Sequence, residues 1–132
     1  VGDDNPLYVD DAFARAAGYR SIIAPPTFVC ETSQYAHRPP DHDGYLGHTW
    51  ELPIEGCRMI RGGHDYEFFR PLLPEDRVNV TWRLEDIAEH RSSRGGSMLI
   101  VISAATYSNQ RGELLARNRE TLIFQPLKEA AR

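Results

Sequence analysis

The sequence predicts an α+β fold, with a short helical opening followed by an antiparallel sheet of four strands. Three features carry that reading. Val78, Val80, Trp82 and Leu84 alternate with Arg77, Asn79, Thr81, Arg83 and Glu85, the period of two that marks a half-buried strand. Met98 to Tyr107 is apolar almost throughout and turns at Asn109 to Gly112 into Leu114 to Phe124, which reads as a hairpin of long strands. The first third of the chain lacks both patterns and carries helix signals instead.

In chain order, Gly2 and Asn5-Pro6 predict an opening tight turn. Asp10 to Ala17 reads as a short helix containing Phe13, Ala14, Ala16 and Ala17, stopped at Gly18. A second, central helix is expected to start at Pro26, because proline suits a first helical turn, and to run to about Tyr35. His37 to Glu55 is rich in Pro, Gly, His and Asp and reads as an ordered loop over a site or an interface. Gly62 to Arg70, with Tyr66, Phe68 and Phe69, is the first strand, and Pro71 to Glu75 the turn after it. The Val78 strand follows, then a turn at Ser92 to Gly96. Met98 to Tyr107 is expected to be buried on both faces. Lys128 to Arg132 reads as a frayed tail or a severed linker.

The 132 residues fit one domain spanning 1–132. The chain opens on Val1 rather than Met, so a truncated start is expected. Its longest apolar run, Met98 to Ile102, is far too short for a membrane span. A net charge of −4 gives no broad basic footprint for nucleic acid. Every basic residue except Lys128 is arginine, and a few of these gathered in space could hold the phosphates of a CoA. Cys30 and Cys57 form neither a disulfide framework nor a zinc pattern and read as free thiols in a reducing cytoplasm. Cys30, beside Phe28 and Val29, is expected to be a buried small hydrophobe.

The chemistry-bearing motif is Gly2-Asp3-Asp4-Asn5-Pro6-Leu7-Tyr8. Taken alone it is a solvated turn, with Asp10 and Asp11 capping the helix behind it. A Gly-Asp-x-Asn-Pro-x-His turn, however, holds a carboxylate and an imidazole so that both reach one water. With that spacing the segment resembles the MaoC-like (R)-specific enoyl-CoA hydratases. The resemblance implies that Asp3 matches their water-activating aspartate and that Tyr8 stands in place of the histidine. A phenol, titrating at about 10, is a poor general base near neutral pH.

Ile22-Ile23-Ala24-Pro25-Pro26-Thr27-Phe28 resembles the Ile-Ala-His-Gly-Met-Leu segment that opens the central helix of the catalytic members. There the glycine N–H polarises the thioester carbonyl. Pro26 occupies that place and has no N–H to donate. Asp-Asn-Pro-Leu-Tyr together with Ala-Pro-Pro-Thr-Phe resembles the N-terminal, non-catalytic MaoC-like domain that accompanies a complete half in dehydratases. The resemblance covers Val1 to Pro126. It implies a hot-dog fold, an antiparallel sheet wrapped around a central helix.

On this reading no catalytic residue is expected in this chain, Asp3 being the residual candidate. Asp3, Asn5, Tyr8, Pro26, Thr27 and Phe28 are the expected substrate-binding residues. No cofactor and no metal are expected, and the substrate is an acyl-CoA or acyl-carrier thioester. The expected partner is a catalytic MaoC-like hot-dog subunit or domain. Two alternatives stay open: a self-sufficient hydratase or thioesterase, for which Glu31 on the central helix is a second carboxylate, and a non-enzymatic acyl-CoA-binding or docking module. The acyl group itself is not specified.

The histidines supply no replacement base. His42, within Asp41-His42-Asp43, has ligand-type neighbours without a spacing that aims them at one point. His37 and His48 lie in the same loop, where they could line an acyl entrance. His64 reads as a polar residue at a strand edge and His90 as an exposed strand end. Ser33, Ser92 and Ser97 form no nucleophile elbow, and no Gly-rich phosphate loop is present.

Overall fold

The computed structural model describes residues 2–31, 39, 52, 54–91 and 96–127. The alternating stretches form four long strands: β1 (Cys57–Phe68), β2 (Asn79–Arg91), β3 (Ser97–Ser108) and β4 (Leu114–Pro126). They make one antiparallel sheet in the order β1-β4-β3-β2, so β3 and β4 are central and β1 and β2 are edges. β1 begins earlier than the aromatic pattern suggested. β2 runs past Glu85 to Arg91, where a bulge between Leu84 and Asp86 shifts the alternation that marked the strand.

The β3–β4 turn forms for a local reason. The buried Asn109 accepts the N–H groups of Arg111 and Glu113, each at 3.0 Å, while Gly112 takes a φ of +76° that disfavours other residues. A second glycine sits at a close approach. A Cβ on Gly62, within the β1 bulge, would lie 3.1 Å from the Thr121 carbonyl oxygen on β4.

Val101, Ser103, Ala105 and Tyr107 of β3 are buried, and so are Ala116, Asn118, Glu120, Leu122 and Phe124 of β4. The registers place these side chains on one inner face. The residues between them on β3, such as Ala104 and Thr106, are half-buried. The expected two-sided burial of β3 therefore holds on the inner face from Val101 to Tyr107 and only partly on the outer one.

The opening turn winds further than expected, into a helical turn α1 (Pro6–Val9), because Asn5 caps it and Pro6 fills its first position. α2 (Asp11–Ala16) follows, capped by the Asp10 carboxylate accepting the Phe13 N–H at 3.0 Å. The helix expected from Pro26 instead starts at Phe28, since Pro25 to Thr27 form a turn closed by the Phe28 N–H on the Pro25 carbonyl at 2.9 Å. Its described part is α3 (Phe28–Glu31). Its predicted continuation to Tyr35, nearly all of the His37–Glu55 loop and the Lys128–Arg132 tail lie outside the described residues.

α3 turns Val29 and Cys30 onto the inner face, against Ala105, Tyr107, Leu115 and Ala116. Cys30 is a buried apolar residue here, as its sequence context predicts. Farther along the sheet Val101, Leu122 and Phe124 form a second cluster, with Leu52 and Ile54 packed on it. One helix turn on one face of a four-stranded antiparallel sheet is the hot-dog arrangement.

Candidate functional site

The motif at the start of the chain builds one wall of a cavity. The Asp3 carboxylate accepts the Asn5 N–H at 3.0 Å, and the Asn5 side chain accepts the Leu7 N–H at 3.1 Å, so both hold the turn. Tyr8 follows on α1, its N–H bonded to the Asn5 carbonyl at 2.9 Å. The Ile23 N–H then reaches the Leu7 carbonyl at 3.0 Å, and the Ala24 N–H reaches the Leu72 carbonyl at 2.9 Å. These two bonds join three stretches distant in sequence: the opening motif, the Ile22–Phe28 stretch and the loop after β1.

Between them lies a cavity of about 590 Å³, lined among others by Asp3, Tyr8, Ile22, Phe28, Leu72 and Val78. Its lining is mainly apolar, as suits a hydrocarbon ligand. Asp76 also borders it, but that carboxylate is engaged. It accepts from Asn109 at 3.1 Å, from Arg111 at 3.0 Å and from the Leu73 N–H at 3.0 Å.

Of the predicted substrate-binding residues, Asp3, Tyr8 and Phe28 thus meet around one space. Asn5 supports the turn through its cap. Pro26 lines an adjoining cavity of about 230 Å³ with Tyr19, Val29, Phe68 and Phe69. Thr27, exposed, uses its carbonyl to accept the Cys30 N–H at 3.0 Å. The two cavities adjoin, sharing Ile23, Ala24 and Leu72 as walls, so the position that the resemblance equates with the carbonyl donor lies across that wall from the position equated with the base.

A polar cluster on the inner face was not singled out from the sequence. The fully buried Glu120 carboxylate is paired with the Arg61 guanidinium, and His64 Nε2 lies 3.6 Å from the same carboxylate. His64 Nδ1 is 3.2 Å from Asn118 Oδ1, and the ring stacks on Tyr66 at 5.5 Å, which stacks in turn on Phe68 at 5.9 Å. The signal was present. Continuing the alternation back from Leu122 and Phe124 puts Glu120 and Asn118 on the apolar face. His64 lies on an edge strand, as expected, but with buried polar neighbours. His90 is exposed near the end of β2.

His37, His42 and His48 lie outside the described residues, and α3 ends at Glu31. Among the described residues no three His, Cys, Asp or Glu side chains gather to hold a metal ion. No helix among them is long and apolar enough to cross a membrane.

The hot-dog architecture is shared with known structures. A chain of the ChsH1-ChsH2 complex from Mycobacterium tuberculosis superposes with a TM-score of 0.73 at 24% identity, covering 98% of this chain and 78% of that one. Residues 1–118 match the family described as FAS1-like, dehydratase domain region. The chain belongs to that family, a MaoC-like dehydratase region. Among curated relatives, the probable enoyl-CoA hydratase alpha subunit of Thermomonospora curvata is 29% identical over 97% of this chain and 42% of its own length. The UPF0336 protein of Streptomyces griseus is 31% identical over 98% of this chain and 79% of its own. This chain therefore spans less than half of the alpha-subunit relative.

Proposed function

We propose that this domain is the substrate-selecting, non-hydrating half of an (R)-specific enoyl-thioester hydratase or 3-hydroxyacyl-thioester dehydratase. The observation that carries the reading is Tyr8, a phenol on the wall of an apolar cavity where the related motif has a histidine. Addition of water to an enoyl-thioester needs a group to take the water proton as the oxygen bonds C3, and a donor for the thioester oxygen as charge builds there. Asp3 spends a carboxylate oxygen on the Asn5 N–H, and Pro26 has no N–H. What this half retains is an apolar cavity that accepts an acyl chain, with Phe28 and Leu72 as walls.

The chemistry then belongs to a partner hot-dog with the complete motif. The alpha-subunit name of the relative supports a second component. So does edge strand β1, which exposes Met59, Ile60, Tyr66 and Phe68 along a strand with one side unpaired among the described residues. A long apolar edge calls for another strand to cover it.

The test is hydration of an enoyl-CoA by the purified chain, alone and mixed with a hot-dog protein that carries Gly-Asp-x-Asn-Pro-x-His. Turnover is expected only in the mixture. Tyr8→His is expected to leave the chain inert by itself, since Pro26 still withholds a donor. Brisk turnover by the unmodified chain alone overturns the proposal and favours the self-sufficient enzyme.

A further inference from the structure

The outer face of the sheet, opposite α3, carries charges that its own strands leave uncompensated. Followed through the strand registers, one row across the sheet reads Asp65, Arg119, Ala104, Arg83. The next row reads Glu67, Arg117, Thr106, Thr81. These side chains border an open groove of about 740 Å³. Arg119 turns away from Asp65 to pair with Glu85 at 2.9 Å, and Arg117 lies over the Phe69 ring at 5.5 Å. Asp65 and Glu67 on edge β1, and Arg83 on edge β2, have no ion-pair partner among the described residues. The face is thus acidic along one edge and carries an unpaired cation on the other.

We propose that this face is a contact between two copies of the chain, related by a twofold axis that runs parallel to the strands between β3 and β4. That operation keeps each row at its own height and exchanges the two edges. Asp65 comes to face Arg83 of the second copy, and the symmetry makes the same pair twice. In the same rows Arg119 meets Ala104 and Arg117 meets Thr106, so each long side chain lies over a short one. Sheets stacked about 10 Å apart leave room for such interdigitation, and their twist rotates the strands of one by roughly 30° from the other. An axis across the strands would instead set β1 on β1 and oppose the carboxylates. The edge of β1 stays open in this arrangement, so the contact doubles whatever unit an edge-paired hot-dog forms.

The experiment is sedimentation equilibrium of the purified chain at low and high salt. The expected result is a salt-sensitive doubling of mass. Asp65→Arg and Arg83→Asp should each weaken it by about tenfold or more, because each sets like charges together twice. The double variant D65R/R83D should return the affinity to within roughly threefold of the original. No doubling, or a doubling that ignores both charge reversals, overturns it.

Discussion

Arg61, on the edge strand β1, reaches across to the carboxylate of Glu120, which has no solvent exposure in the central strand β4. A buried carboxylate is tolerable only when its charge is met. Arg61→Ala is therefore expected to destabilise the fold by about 2 kcal/mol, below the range for fully buried pairs because Arg61 is half-exposed. Beside the pair, Ser103 Oγ is buried without a hydrogen-bond partner among the described residues. Ser103→Ala should then be neutral or slightly stabilising. Urea denaturation of the two variants checks both, and a destabilised Ser103→Ala would mean that its hydroxyl is satisfied.

The Asn5 cap holds the strand of backbone that carries Tyr8. Asn5→Ala is expected to lose about 1 kcal/mol, as for other N-caps, whereas Asn5→Asp should retain most of the stability. Thermal melts of the pair give the comparison.

Ala24 lines the cavity and is fixed by its N–H bond to the Leu72 carbonyl. Ala24→Phe fills that space. In the mixture with a catalytic hot-dog it should lower kcat/KM for a bulky acyl-CoA by about tenfold or more while sparing a short enoyl-CoA. Equal losses for both chain lengths would separate the cavity from substrate choice.

The Glu113 carboxyl is held below its ordinary range, first by the Asn109 amide at 2.7 Å and then by the Arg111 guanidinium at 2.8 Å. A carboxylate depressed in the folded state adds stability that is complete above its unfolded value. That stability fades as the pH falls through the lower folded value. Glu113→Gln should accordingly flatten the acid limb of the stability profile and leave its slope above pH of about 6 unchanged. Urea midpoints measured from neutral to acid pH test this.

The fold was legible where the pattern is local. Val78 to Leu84 marked β2 by its alternation, and the apolar run Met98 to Tyr107 with its turn into Leu114 to Phe124 marked β3 and β4. The helix start was less legible. Two prolines in a row satisfied the rule for a first helical turn, but in the structure the turn precedes the helix and Phe28 begins it. The start of β1 was missed because Cys57 to Arg61 carries no clean alternation and its pairing depends on β4, far along the chain.

The sequence by itself determined the chemical losses: whether residue 8 is an imidazole or a phenol, and whether residue 26 has an N–H, are covalent facts. Only the tertiary structure decided that Tyr8 and Pro26 lie on either side of a shared wall of Ile23, Ala24 and Leu72, that Asp76 is already engaged, and that Glu120 lies inside the sheet with Arg61 and His64. The reason is range. Side-chain chemistry and alternation are written within a few residues, whereas cavities and buried ion pairs arise where strands 59 positions apart come into register.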